Sequence, residues 1–179
     1  DSVHFIELWV AQQEKQDYCA MAASQAILKW HYISKTQDEL AGELGYIPHF
    51  GAYDADVQKG LNANLRQGGF SGTNLYDLAS LDGSEGARNL FYQRVREACE
   101  DRRPLMFCCL ILDLYETDAS YAHNVLGTGY IENPETLSID YIIVQDPSRD
   151  FWSKYGGLKV FPSWQIVQAI EAALEPEYF

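Results

Sequence analysis

Four residues of this chain have the side chains, and the order along the sequence, that a cysteine nucleophile needs. Gln13 and Cys19 lie six positions apart near the start, and His123 and Asp146 follow in the second half. A thiol needs an imidazole to take its proton, and the imidazole needs a neighbouring group that orients it. The set therefore predicts acyl chemistry in which the Cys19 sulfur attacks a carbonyl carbon.

The position of Cys19 favours this reading, because it lies in the first turn of a helix predicted over residues 18–33. Asp17 is the expected N-cap of that helix. One helical face is formed by Cys19, Ala22, Ala23, Ala26, Ile27 and Trp30. Its alanines allow another element to pack closely, and the positive end of the helix dipole favours the thiolate.

A tetrahedral intermediate at the sulfur would need donors for its oxyanion. The carboxamide of Gln13 and the backbone N–H of Cys19 are the candidates. Gln12 competes with Gln13 for this role, and Gln16 is a weaker rival.

His123 and Asp146 fall at the ends of two predicted strands, 124–131 and 138–144, and Pro147 turns the chain out of the sheet. If these strands form a hairpin, the two side chains become neighbours and Asp146 fixes the imidazole tautomer. Each residue alone also has a structural explanation, as a buried cysteine, a strand-edge histidine or a turn-forming Asp-Pro pair. Their combination and order favour catalysis.

The remaining elements predict how these residues are positioned. An extended N-terminal segment over 3–10 comes first. Further helices are predicted over 36–45, 54–65, 83–101 and 163–174, with Ser163 as a cap, and further strands over 105–112 and 157–161. In the helix over 83–101, the residues expected to face inward are Leu90, Phe91, Val95 and Ala98. Helices followed by an antiparallel sheet indicate an α+β fold, which we expect to form a single domain over 1–179.

Charge limits the classes of partner. The 179 residues include 13 Lys and Arg against 26 Asp and Glu, for a formal net charge of −13. Nucleic acids and anionic membranes are bound by clustered basic residues, so neither is expected as a partner. No stretch approaches the roughly 18 consecutive apolar residues of a membrane span, and the N-terminus lacks the pattern of a signal peptide.

The other cysteines are expected to pack in the core. Cys99, Cys108 and Cys109 lie in apolar settings, no CxxC motif is present, and adjacent cysteines are poorly placed to bond each other. The sequence predicts no disulfide framework and no zinc site. Trp152, Tyr155 and Trp164 are candidates for lining a substrate groove, although aromatic residues in such places more commonly belong to the core.

The motifs together resemble a known family. Gln-x5-Cys-Ala-x-Ala-Ala from Gln13, then Ala-His-x-Val-x-x-x-Gly-Tyr around His123, then a strand ending in Asp146-Pro147, are similar to the papain-like cysteine peptidases. The likeness spans about residues 12–148 and is closest to bacterial double-glycine leader peptidases and to staphopain-like and effector proteases. It implies Cys19 as nucleophile, His123 as general base and acid, Asp146 as orienting residue and Gln13 in the oxyanion hole. It also implies a peptide or protein substrate and no metal or organic cofactor.

Alternatives remain open at this level. The same residues would serve a glutamine deamidase or a transglutaminase, and a catalytically inactive binding module is a third hypothesis. A bacterial toxin or effector is compatible with any of these reactions, as are the bacterial cytoplasm, secretion or delivery to a host cell. Because residue 1 is Asp, we expect that upstream sequence has been removed and that these residues contain no propeptide.

Overall fold

The computed structural model describes residues 1–148 and 157–179. Trp152 and Tyr155, two candidates for lining a groove, lie outside the described residues. The third candidate, Trp164, is 63% exposed, so it is not a core residue.

The helical elements are α1 Cys19–Trp30, α2 Gln37–Glu43, α3 Asp54–Gln67, α4 Glu85–Glu100, the one-turn α5 Ile111–Leu114, and α6 Ser163–Glu171. The strands are β1 Ser2–Phe5, β2 Ala79–Ser80, β3 Leu105–Leu110, β4 Ala122–Glu132, β5 Ile139–Gln145, β6 Leu158–Pro162 and β7 Glu177–Tyr178. The strands form an antiparallel sheet in the order β2-β7-β3-β4-β5-β6, and β1 pairs with the far end of β4. The α+β fold class predicted from the order of the elements is confirmed.

Helices cover both faces of this sheet. Alternate residues of a strand point to opposite faces, and the two core clusters follow this rule. On one face, Met106 and Leu126 pack with α1, α2 and α3. On the other face, Phe107 and Val125 pack with α4 and α6. β4 therefore lies in the middle of the molecule, with α1 against it.

Helix α1 forms as predicted but is shorter. Ala22, Ala23, Ala26 and Ile27 are fully buried, so the face with small residues does pack closely. The helix stops at Trp30, and Tyr32 takes a left-handed φ of 61°. The prediction of Asp17 as N-cap is wrong, because Tyr18 is the cap residue and makes no side-chain cap. The Asp17 carboxylate instead accepts hydrogen bonds from the Tyr46 hydroxyl and the His49 N–H.

Other predicted boundaries need smaller corrections. Leu90 is 42% exposed and does not face the core, because it precedes the buried Phe91 by one position, about 100° around the helix. The strand predicted over 105–112 ends at Leu110, where α5 begins. Ser163 is the first residue of α6 and does not cap it; Pro162 holds the cap position. Three short strands, β1, β2 and β7, were not predicted as strands.

The close approach of β1 to β4 makes Gly129 a test of the sheet. A Cβ added there would overlap the His4 carbonyl oxygen and lie 2.9 Å from the Phe5 Cα. Both obstacles are backbone atoms that cannot rotate away, so Gly129→Ala is expected to destabilise the protein by about 1–3 kcal/mol in urea unfolding.

Gly42 in α2 provides the matched control. A Cβ added at Gly42 meets nothing within 4 Å. Gly42→Ala is therefore expected to be neutral, or stabilising by up to about 1 kcal/mol, since alanine reduces the freedom of the unfolded chain. Equal stabilities for the two variants would contradict the β1–β4 contact.

Candidate active site

The hairpin of β4 and β5 brings His123 and Asp146 together. Leu126 pairs with Gln145, so the start of β4 lies beside the end of β5, as expected from the sequence. His123 Nε2 donates to Asp146 Oδ1 at 2.7 Å, and the two residues are 2% and 1% exposed. The pair is therefore almost completely shielded from solvent.

Asp146 is held by two further donors. The Ser148 N–H donates to Oδ1 at 2.7 Å, and the Tyr115 hydroxyl donates to Oδ2. Neither donor is predicted from the sequence. The Asp-Pro-Ser sequence does carry a signal for Ser148, since an aspartate commonly accepts from the N–H two residues on. Tyr115 precedes Asp146 by 31 positions, at the end of α5, and no local pattern points to it.

Cys19 lies at the start of α1, against the beginning of β4. Its side chain is half-buried and interacts with the His123 imidazole, whose pKa it helps to raise. Because Asp146 occupies Nε2, Nδ1 is the ring nitrogen that remains for the thiol. The Cys19 Sγ–H also donates to Asn124 Oδ1 at 3.6 Å. Asn124, adjacent to His123 in the chain, is a further residue at this site that is not predicted from the sequence.

The electrostatics of the histidine favour its charged form. Burial acts to lower the pKa of His123, but the charge and hydrogen bond of Asp146 and the contact with Cys19 outweigh it and raise this pKa to about 10. For Asp146, burial acts to raise the pKa, and His123, Tyr115 and Ser148 together lower it below its usual value. At neutral pH the pair is thus an imidazolium and a carboxylate.

Gln13 lies at the same end of the sheet. Its backbone N–H donates to the Pro147 carbonyl at 2.8 Å. This hydrogen bond connects the segment before α1 to the chain just after Asp146. Gln13 is 4% exposed, whereas its rivals Gln12 and Gln16 are both exposed.

The Gln13 side chain braces the turn before Cys19. Its Nε2 donates to the carbonyls of Lys15 and Gln16 at 3.0 and 2.5 Å. Its Oε1 is buried without a hydrogen-bond partner among the described residues. The oxyanion role of Gln13 stays a prediction.

The remaining cysteines differ from Cys19. Cys108 and Cys109 are buried, and burial is the main cause that raises the pKa of each well above its ordinary value. Cys99 is half-buried in α4, and burial raises its pKa as well. Within 1–148 and 157–179, no three His, Cys, Asp or Glu side chains are grouped so that they could hold a metal ion. In the same ranges, no helix is both long enough and apolar enough to cross a membrane.

Three known structures with a similar fold are described as peptidases or proteases. A protein from Bacillus anthracis described as a C39-like peptidase aligns with a TM-score of 0.63 and 14% identity over 99% of this chain and 96% of the other. A double-glycine motif protease from an AMS/PCAT transporter, solved with its leader peptide, gives 0.56 and 11% over 97% and 90%. The peptidase domain of Streptococcus ComA, a bifunctional ABC transporter, gives 0.55 and 12% over 98% and 97%. At these identities the likeness establishes the fold.

Sequence comparison identifies the family. The comparison with curated proteins returned no match. The model of the Peptidase_C39-like family matches residues 5–167, which is most of the chain and includes Cys19, His123 and Asp146. This protein therefore belongs to the Peptidase_C39-like family and is a papain-like cysteine peptidase.

Proposed function

We propose that Cys19, His123 and Asp146 form a catalytic triad that hydrolyses peptide bonds through a thioester. The observation that carries the proposal is one continuous path of contacts, from the half-buried thiol at the start of α1 through the imidazole to a buried carboxylate. Each neighbour has the chemistry that the next step requires.

Each of these groups has a proposed role in acylation. The Cys19 thiolate, whose proton has passed to His123, attacks the carbonyl carbon of the substrate, a C–S bond forms, and the carbonyl electrons move to the oxygen. The protonated His123 then gives its Nδ1 proton to the leaving amine as the C–N bond breaks. Asp146 holds the imidazole through Nε2 and stabilises its positive charge.

Deacylation reverses the use of the imidazole. His123 takes a proton from water, the resulting hydroxide attacks the thioester carbon, and the C–S bond breaks to release the carboxylic acid and restore the sulfur. Tyr115 and Ser148 keep Asp146 fixed during both steps, since their hydrogen bonds go to its two oxygens.

The oxyanion needs donors near the sulfur. The backbone N–H of Cys19 is available, because the first residues of a helix have no carbonyl partner within it. Gln13 is the proposed second donor. Its amide nitrogen is bonded to the carbonyls of Lys15 and Gln16, so it must release one of them to reach the oxyanion.

The proposed substrate is a peptide or a protein segment. The double-glycine protease of similar fold was solved with a leader peptide, which supports a peptide ligand for this fold. With a net charge of −13, the protein attracts basic segments. We therefore expect KM for basic peptides to rise as salt is added, since salt screens this attraction.

Product analysis tests the reaction. The protein is incubated with a mixture of basic peptides that contain glutamine, with an added primary amine, and the products are identified by mass spectrometry. We expect new pairs of peptide termini, which are absent when Cys19 has first been alkylated. A gain of about one dalton at glutamine without cleavage would instead indicate a deamidase, and an amine adduct a transglutaminase. No product of any kind would favour the inactive binding module.

A further inference from the structure

A second series of buried hydrogen bonds starts at Cys19 and leads away from His123 and Asp146. The Cys19 Sγ–H donates to Asn124 Oδ1 at 3.6 Å, and Asn124 Nδ2 donates to Asp54 Oδ1 at 3.3 Å. Asn124 is 5% exposed and Asp54 is 1% exposed. The path therefore connects the sulfur to a carboxyl group that has no role in the proposed triad.

The fold requires this arrangement. Asn124 has the same parity along β4 as Leu126, which packs with α1, α2 and α3, so its side chain lies on the face of the sheet that α1 covers. Asp54 is the first residue of α3, on that same side. An amide between the two groups can donate to one and accept from the other.

The surroundings of Asp54 raise the pKa of its carboxyl group. Burial is the largest influence and raises its pKa to about 7, helped by the charges of Glu175 and Glu177 near the C-terminus. The Cys108 thiol of β3 and the Asn124 amide act in the opposite direction. Glu175 also accepts from the Asp54 N–H at 3.1 Å, so its charge is fixed close by. Beyond Asn124 lie the Cys19 thiol and the His123 imidazole.

We propose that Asp54 is a positioning residue that controls, through the orientation of the Asn124 amide, whether Cys19 is held as a thiol or as a thiolate. The inference rests on the proposed role of Cys19 as nucleophile. When Asp54 is ionised, Asn124 must donate to it, and the amide oxygen then faces the sulfur and accepts the S–H hydrogen. When Asp54 is protonated, its O–H donates to the amide oxygen, and the turned amide donates its N–H to a thiolate.

The direction of the pH effect follows from these two arrangements. Below the pKa of Asp54 the amide is free to stabilise the thiolate. As pH rises through this pKa, the carboxylate holds the amide in the orientation that favours the thiol. A hydrogen bond to a charged group corresponds to about tenfold in an equilibrium, so the thiolate should become about tenfold less favoured relative to a protein without this carboxylate.

Site-resolved alkylation tests the proposal on the full chain without any substrate. The rate of Cys19 modification by iodoacetamide is measured by mass spectrometry between pH 5.5 and 8.5 for the native protein and for Asp54→Asn. The asparagine retains an N–H donor for the Asn124 oxygen at every pH. We expect equal rates at pH 5.5 and a rate about tenfold higher for Asp54→Asn at pH 8.5. A ratio that does not change with pH would overturn the proposal.

Two further variants leave Asp54 in place and change its pKa. In each, we follow the pH midpoint at which the Cys19 alkylation rate responds to ionisation of Asp54. Glu175→Gln removes a charge that raises the pKa of Asp54, so the midpoint should move to lower pH. Cys108→Ala removes an interaction that lowers this pKa, so the midpoint should move to higher pH. If Asp54→Asn does not fold, Glu175→Gln provides the test. A pH midpoint of the alkylation rate that is the same in Glu175→Gln and in the native protein overturns the proposal.

Three controls show whether Asp54 acts on the alkylation rate through Asn124, whether a nearby charge change has the same effect, and whether the proposed function holds independently. Asp56→Asn removes an exposed carboxylate in the same turn of α3 and should leave the alkylation rate unchanged at every pH. In a protein with Asn124→Ala, adding Asp54→Asn should have no further effect on the pH profile. Peptide cleavage that persists without Cys19 would overturn the proposed function, whereas the alkylation result alone decides the role of Asp54.

Discussion

Peptide cleavage is expected to fall on the order of 10⁶-fold when Cys19 is replaced by alanine, because the thioester can no longer form. Alanine suits the first turn of α1, and the residue is only half-buried, so the fold should be kept. The measurement is the initial rate of cleavage of a basic peptide, followed by mass spectrometry, together with thermal unfolding of the same sample.

Cys99 is the matched control, because it is the other half-buried cysteine among the described residues and lies on α4, away from the site. Cys99→Ala makes the same chemical change and should keep the native rate. Cleavage at a comparable rate by purified Cys19→Ala protein would exclude Cys19 as the nucleophile.

The second large effect is expected for Asp146→Asn. The asparagine has nearly the same shape, but it removes the charge that holds His123 in its protonated form. We expect kcat to fall by about 10²–10⁴-fold, which is the range attributed to positioned acid–base catalysis. The loss should appear mainly in kcat, because the buried Asp146 is not exposed to bind substrate.

The pH dependence of peptide cleavage tests the role of Asp146 more specifically. Asp146 is the main group that opposes burial and raises the pKa of His123 to about 10. Acylation needs the protonated imidazole, so activity should be lost as pH rises through that pKa. Without the carboxylate, burial acts with less opposition, the pKa falls, and the alkaline loss of activity should move to lower pH.

The free energy of unfolding should also fall as pH rises. The pKa of His123 in the folded protein lies above its ordinary 6.5, so the charged imidazole contributes stability that is complete below about pH 6.5 and is lost as pH rises toward about 10. Urea unfolding at these two pH values should show a smaller pH-dependent loss for Asp146→Asn than for the native protein. Asp140→Asn, an exposed change on the same strand, should affect neither activity nor this pH dependence.

Much of the fold could be predicted because its signals are local. The small-residue face of α1, the capping box of Thr36 and Glu39 and the glycine after α3 are each encoded within a few residues, and the structure contains all three. The neighbouring positions of His123 and Asp146 were also predictable, since two consecutive apolar strands with a short connection favour a hairpin.

What could not be predicted depends on distant partners. Asp17 has the correct type for a cap, but Tyr46 and the backbone of His49 compete successfully for its carboxylate. Strands of two residues, such as β2 and β7, form only because the edge of the sheet is available to pair with them. Asp54 and Tyr115 approach the site through tertiary packing, and neither has a sequence pattern that would mark it.

The pairing of distant segments also affects when activity can first arise during synthesis. Cys19 and Asn124 are separated by 105 positions, and β1 must wait for the far end of β4 before it can pair. A ribosome releases α1, which begins with Cys19, long before β4 and β5, which position His123 and Asp146. Under the proposed roles, the nascent chain therefore has its nucleophile but not its general base until most of it has emerged, so peptide cleavage should begin only after β4 and β5 have formed.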